Sequence, residues 1–193
     1  MDRHAFLYKL QQKGLTGEWL PFQQSVYIQE VLHGGLPSRS EHAEGVCSAL
    51  CRYVLLEWFR NGINGDAVGS LSRSSIAELV LNLVYEGESV DAFKVTMTRA
   101  NKRCISERYF MNFKQALEHT TGTGFSLIAL GGITGDGHAI ICNGSKFAIF
   151  DPNVGYIKAD STSNYMWCFQ SIIKEFYPNY LGGGRAVQVY EFA

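Results

Sequence analysis

The feature that most constrains this chain is a change of periodicity at Gly124. Downstream of it come four short apolar runs, "FSLIAL", "GHAIIC", "KFAIFD" and "GYIKA", separated by "GGITGDG", "NGS" and "PNVG". Short runs of this kind, bounded by Gly, Asn and Pro, form a meander of strands. Residues 162–177 then follow a helical pattern that stops at Pro178, and "LGGG" turns the chain into a last strand, "RAVQVYEF". Upstream of Gly124 the patterns are helical. They cover residues 2–13, residues 45–58, "IAELVLNLVYEG" with Ser74 or Ser75 as its cap, and one or two helices over residues 89–120. Residues 14–44 are mixed and contain the polar loop "LHGGLPSRSEHAEG". Helices followed by an antiparallel sheet predict an α+β domain. It spans residues 1–193, with a helix-rich part (1–120) and a sheet-rich part (121–193).

Composition sets the outer limits. A chain of 193 residues with 46% apolar and 18% charged residues can bury a sizeable core without staples. A net charge of −1 gives no electrostatic case for nucleic acid or an anionic membrane as partner. No apolar run approaches the length that crosses a bilayer, so no stable membrane insertion is expected. The start, "MDRHAFLYKLQQKG", has neither a long apolar stretch nor a small-residue cleavage site, so no secretory signal peptide is read there. Five cysteines at scattered spacing argue against a disulfide framework and for reduced thiols. No CxxC pair is present, and His4, His33, His42, His119 and His138 form no cluster near a cysteine pair, so no metal site is expected.

Within "GVCSALCRYVLLEW", residues Cys47, Leu50, Cys51, Val54, Leu55 and Trp58 fall on one helical stripe. Ser48, Arg52 and Arg60 lie off it. Cys47 sits in the first turn, where unpaired amides and the helix dipole favour a thiolate. Gly45 just before it allows close approach of substrate or backbone. A buried cysteine is more often a small hydrophobe, and Cys51, one turn on, is read that way. A nucleophilic Cys47 therefore needs a base and an orienting group.

"GHAIICNGSKFAIFDPNVG" supplies both on one hairpin. With Gly144-Ser145 as a two-residue turn, His138 lies opposite Asp151. With Asn143-Gly144 as the turn, Asp151 is the diagonal neighbour on the same face. Either even-length loop keeps imidazole and carboxylate on one side, whereas a three-residue loop separates them. Pro152 ends the strand and holds the carboxylate at a rigid position. Trp167 and Phe169 are candidates to shield the pair, although aromatics at helical spacing are more often core.

These two stretches resemble the papain-like cysteine proteases of the YopT/AvrPphB type, bacterial effector and toxin domains. The resemblance rests on the G-x-C helix ending in Trp58, on G-H-A at His138, and on D-P-N-x-G at Asp151. It covers about a sixth of the chain. It implies a papain-like fold in which the catalytic helix packs on the sheet, and a thiol hydrolase, usually an endopeptidase acting inside host proteins. The implied roles are Cys47 as nucleophile, His138 as base and Asp151 as orienting group, with no metal or cofactor. Family members usually carry a polar side chain before the cysteine to complete the oxyanion hole. Here His42 is the candidate donor, beside Glu41 and Glu44, and the Cys47 amide is a second donor. The implied partner is a protein or peptide substrate, reached in the host cytoplasm by a route without a signal peptide.

The same acyl chemistry serves glutamine deamidases and peptidoglycan amidases, which stay as alternatives. Arylamine acetyltransferases and transglutaminases have a shorter Cys-to-His separation. A catalytically idle papain-like binding module is the alternative of another class, and it has no need of all three groups.

Overall fold

The computed structural model describes residues 3–12, 17–32, 46–131, 137–181 and 186–193. Its helices are α1 (Arg3–Gln12), α2 (Gln24–Glu30), α3 (Cys47–Asn61), α4 (Asp66–Gly69), α5 (Ser74–Tyr85), α6 (Val90–Arg99), α7 (Phe113–Thr120) and α8 (Thr162–Phe176). The strands are β1 (Gly17–Pro21), β2 (Cys104–Phe110), β3 (Phe125–Leu130), β4 (His138–Asn143), β5 (Ala148–Asp151), β6 (Gly155–Ala159) and β7 (Val187–Phe192). They form one antiparallel sheet in the order β1-β6-β5-β4-β3-β7-β2.

The central strands alternate their side chains between two apolar clusters. Ala139 and Ile141 of β4 and Phe150 of β5 face a cluster built with α3, α5 and α6. Ile140, Cys142 and Ile149 face the opposite cluster, built with α1, α7 and α8. Burial on both faces explains why these strands read as near-continuous apolar runs. Helix α3 lies against β4 and β5. Among the described residues no helix is long and apolar enough to cross a membrane.

Four expectations change. Residues 104–110 are not helix: left-handed Asn101 (φ 57) follows α6, and the chain then pairs with β7 as an edge strand. Ile105, Glu107, Arg108 and Tyr109 are exposed and Cys104, Ser106 and Phe110 only half-buried, so the strand carries no strong apolar period. The opposite edge is β1, in a stretch whose pattern is mixed. Helix α5 starts at Ser74 itself, with Arg73 at the cap position and no side-chain cap bond. Arg52, placed off the apolar stripe of its helix, is fully buried. There its two terminal nitrogens donate to the carbonyls of Leu83 and Gly87 and to Thr96 Oγ1, while its buried Nε has no partner among the described residues.

The β4–β5 turn also differs. Asn143 pairs with Ala148, so residues 144–147 make the turn. Asn143 Oδ1 accepts from Lys146 N–H at 3.1 Å and Ser145 Oγ–H at 2.8 Å, closing a 3₁₀ turn, and Phe147 (φ 56) reverses the chain. The tip docks on α7's end, where Ser145 N–H donates to Thr123 O at 2.8 Å. A Cβ on Gly144 would stand 1.8 Å from Thr120 O, so only glycine fits. That docking favours a four-residue loop over a tight two-residue one. The loop is still even in length, so His138 and Asp151 share a face, displaced diagonally by two residues.

Candidate active site

Three elements converge at one end of the sheet. Helix α3 begins at Cys47, β4 begins at His138, and β5 ends at Asp151. The parity of β4 and β5 puts His138 and Asp151 with Ile140 and Ile149, on the face toward α8. The imidazole stands at the strand's first residue, so Cys47 reaches it from the other layer, close enough to act on its proton affinity.

His138 Nε2 lies 3.1 Å from Asp151 Oδ1. The imidazole side chain is 9% exposed and the carboxylate 0%. With Nε2 turned to the carboxylate, Nδ1 is the nitrogen left for the thiol. Burial by itself disfavours the imidazolium, but the Asp151 charge and hydrogen bond, with the Cys47 contact, overcome it and raise His138 to about 10. The resting site thus favours a protonated imidazole beside the sulfur.

Asp151 Oδ1 is the hub. It also accepts from Asn153 N–H at 2.7 Å and from Tyr177 Oη–H at 3.0 Å. The first bond is an Asx-type turn across Pro152, which locks the carboxylate to its own strand end. Asp151 Oδ2 is buried and, among the described residues, has no partner. Tyr177 follows α8, and its ring stacks on the imidazole with centroids 4.7 Å apart. The shield predicted from Trp167 or Phe169 is therefore supplied by Tyr177, while Phe169 packs in the core beneath α8.

A further chain of bonds ties the three elements together. Asn153 Nδ2 donates to Tyr177 Oη at 3.0 Å, Gln24 Nε2 donates to Asn153 Oδ1 at 2.8 Å, and Val46 N–H donates to Gln24 Oε1 at 3.1 Å. Gln24 thus links α2, the residue before Cys47 and the turn after Asp151. No sequence signal pointed to Gln24 or Tyr177, since each acts across the fold. Asn153 was visible within "DPNVG", without a role.

In fold, this chain is similar to AvrPphB. The similarity to the crystal structure of the Pseudomonas avirulence protein AvrPphB has a TM-score of 0.58 at 16% identity, and it covers 85% of this chain and 100% of that one. The chain shares with it the α+β architecture that the helix-then-sheet order predicted and the papain-like form that the resemblance implied. No protein-family model matches, and no curated protein matches in sequence.

Of the predicted site residues, Cys47, His138 and Asp151 come together, and His42 and Gly45 lie outside the described residues. Cys51 is buried and donates to Ala139 O at 3.3 Å, as a core thiol. Among the described residues no group of three or more His, Cys, Asp or Glu is placed to hold a metal ion. The arrangement supplies a partly exposed thiol, an imidazole able to move a proton to or from it, and a buried carboxylate that fixes the imidazole's other nitrogen.

Proposed function

We propose that this chain is a papain-like thiol hydrolase, and within that class a cysteine endopeptidase of the YopT/AvrPphB type acting on a host protein. The observation that carries the reading is the continuous contact from Cys47 through His138 to Asp151, across two layers of the fold. The similarity of fold to an avirulence protein is what supports an effector role.

In this mechanism His138 holds the proton of Cys47, and the thiolate attacks a peptide carbonyl. The developing oxyanion needs donors. The amides after Cys47 are committed to Glu88, and Val46 N–H to Gln24, so Cys47 N–H is the first-turn amide without a partner among the described residues. It is the backbone donor of this proposal. His138 gives its proton to the leaving amine, which departs and leaves an acyl-thioester. His138 then takes a proton from water, whose oxygen attacks the thioester and releases the acid and Cys47.

The test incubates wild type and Cys47→Ala with a host-cell lysate and maps new protein termini. Termini that appear only with wild type are the expected result. Glutamine-to-glutamate conversion without new termini would replace the endopeptidase with a deamidase. Brief labelling with iodoacetamide tests the nucleophile separately. Cys47 is expected to react first, because burial pushes the thiols of Cys142 and Cys168 up to about 12 and also raises Cys51 and Cys104. Uniform labelling, or labelling led by Cys104, overturns the assignment.

A further inference from the structure

The first turn of α3 meets a second carboxylate, outside the triad. Glu88, between α5 and α6, lies across the helix start. Its Oε2 accepts from Ser48 N–H at 2.8 Å, and its two oxygens share Ala49 N–H at 3.2 and 3.3 Å. These are the two amides immediately after Cys47. The carboxylate is 22% exposed and lies 3.7 Å from the guanidinium of fully buried Arg52, one turn along the same helix. The other acid facing Arg52 is Glu86, at 3.8 Å, which is itself paired with Arg99 of α6 at 2.6 Å. On α3, Cys51 is a further titratable group that feels the Glu88 charge. A helix start normally lends its free amides and positive dipole end to a nearby thiolate. Here that positive end is already occupied by an acid.

We propose that Glu88 is a positioning residue that governs how readily Cys47 ionises, by holding the Ser48 and Ala49 amides and setting a negative charge at the end of α3 nearest the sulfur. The thiolate then depends on the His138 imidazolium rather than on the helix, and the Cys47 amide is the first-turn donor left for substrate. This rests on Cys47 being the nucleophile. Burial lifts Glu88 to about 7 against the opposing pull of Arg52 and the two amides, so its charge changes in the range where such a nucleophile works.

The experiment measures the rate of Cys47 alkylation by iodoacetamide against pH, in wild type and in Glu88→Gln. Glutamine keeps an acceptor for the two amides and removes the charge. The pH midpoint of alkylation is expected to fall by about half a unit, the size of a single charge acting at a helix terminus. An unmoved or raised midpoint in a folded variant overturns the proposal, because a merely structural cap would leave it in place. If Glu88→Gln does not fold with Arg52 left unpaired, the double variant Glu88→Gln/Arg52→Met is compared with Arg52→Met alone, so that only the Glu88 charge differs, and the midpoint is again expected to fall. Absence of preferential Cys47 alkylation in wild type would remove the nucleophile and this proposal with it, whereas an unmoved midpoint on a reactive Cys47 removes only the role of Glu88.

Discussion

The hydroxyl of Tyr177 lies 2.6 Å from His138 Nε2, while its ring stacks on the imidazole at an interplanar angle of 25°. The same hydroxyl donates to Asp151 Oδ1 at 3.0 Å. One side chain therefore bridges imidazole and carboxylate and also covers them from water. Tyr177→Phe keeps the stack and removes the bridge. A hydrogen bond to a charged group contributes about 1.5–3 kcal/mol, so kcat is expected to fall by roughly tenfold or more with KM little changed. Tyr177→Ala, which also opens the pair to solvent, is expected to cost more. Steady-state kinetics of the two variants check this, and equal activity of Tyr177→Phe and wild type would make the hydroxyl a bystander.

The three triad groups are expected to respond differently. Cys47→Ala and His138→Ala each remove nearly all turnover, since the thiol and imidazole act as one unit. Asp151→Ala leaves more activity, because the carboxylate orients and does not react. Asp151→Asn retains the most. Among the described residues every hydrogen bond to the Asp151 side chain ends on Oδ1, from His138, Asn153 and Tyr177, and an amide oxygen can accept all of them. Turnover of the purified variants, with circular dichroism to verify folding, decides the order. Equal, complete loss in Asp151→Asn would mean that the charge itself is required.

The raised proton affinity of His138 predicts a pH dependence of stability. Burial opposes the imidazolium, but Asp151 and Cys47 more than offset it, and His138 moves from 6.5 to about 10 on folding. A group raised in this way binds its proton more tightly in the native state, so stability declines wherever the native state holds more protons than the unfolded one. Its contribution is complete below about 6.5 and is lost as pH rises through about 10. Urea unfolding of wild type and His138→Gln between pH 6 and about 10.5 should show a stability difference that shrinks as pH rises. A difference that grows with pH would reverse the assignment of charge.

Much of this architecture is legible in the sequence, because the central strands and α3 are buried on both sides and so carry long apolar runs. The pairing of His138 with Asp151 on one face follows from the even-length loop, although its register is set by docking of Gly144 and Ser145 on residues 120–123, which no local pattern encodes. The edge strand β2 is hidden for the converse reason: with most of its residues exposed, its sequence has no period to read. Arg52 reads as a solvent residue because a charge normally is one, and its burial depends on the carbonyls of Leu83 and Gly87, Thr96 Oγ1 and Glu88, all distant in sequence. Tyr177 and Gln24 contribute through contacts between residues far apart in the chain, which a helix or strand pattern does not register.

Gln24 and His42 lead to the last prediction. Spacing before Cys47 points to His42 as the side-chain donor of the oxyanion hole, and that residue lies outside the described ones. Gln24 is 8% exposed, takes Val46 N–H on its oxygen, and gives one amide hydrogen to Asn153. Its position is thus set by both the residue before the nucleophile and the turn that holds Asp151. Gln24→Ala leaves Val46 N–H and Asn153 Oδ1 without these partners, and it loosens Cys47 relative to His138. A misplacement on the order of 1 Å costs up to about a hundredfold in rate, so kcat is expected to fall between roughly tenfold and a hundredfold, with slower Cys47 alkylation. His42→Ala, if His42 donates to the oxyanion, lowers kcat by on the order of a hundredfold while Cys47 alkylation stays unchanged, because alkylation forms no oxyanion. Measuring both readouts on both variants separates a clamp from a donor. Unchanged turnover and alkylation in Gln24→Ala would show that the link from α2 to the turn at Asn153 does not position the nucleophile.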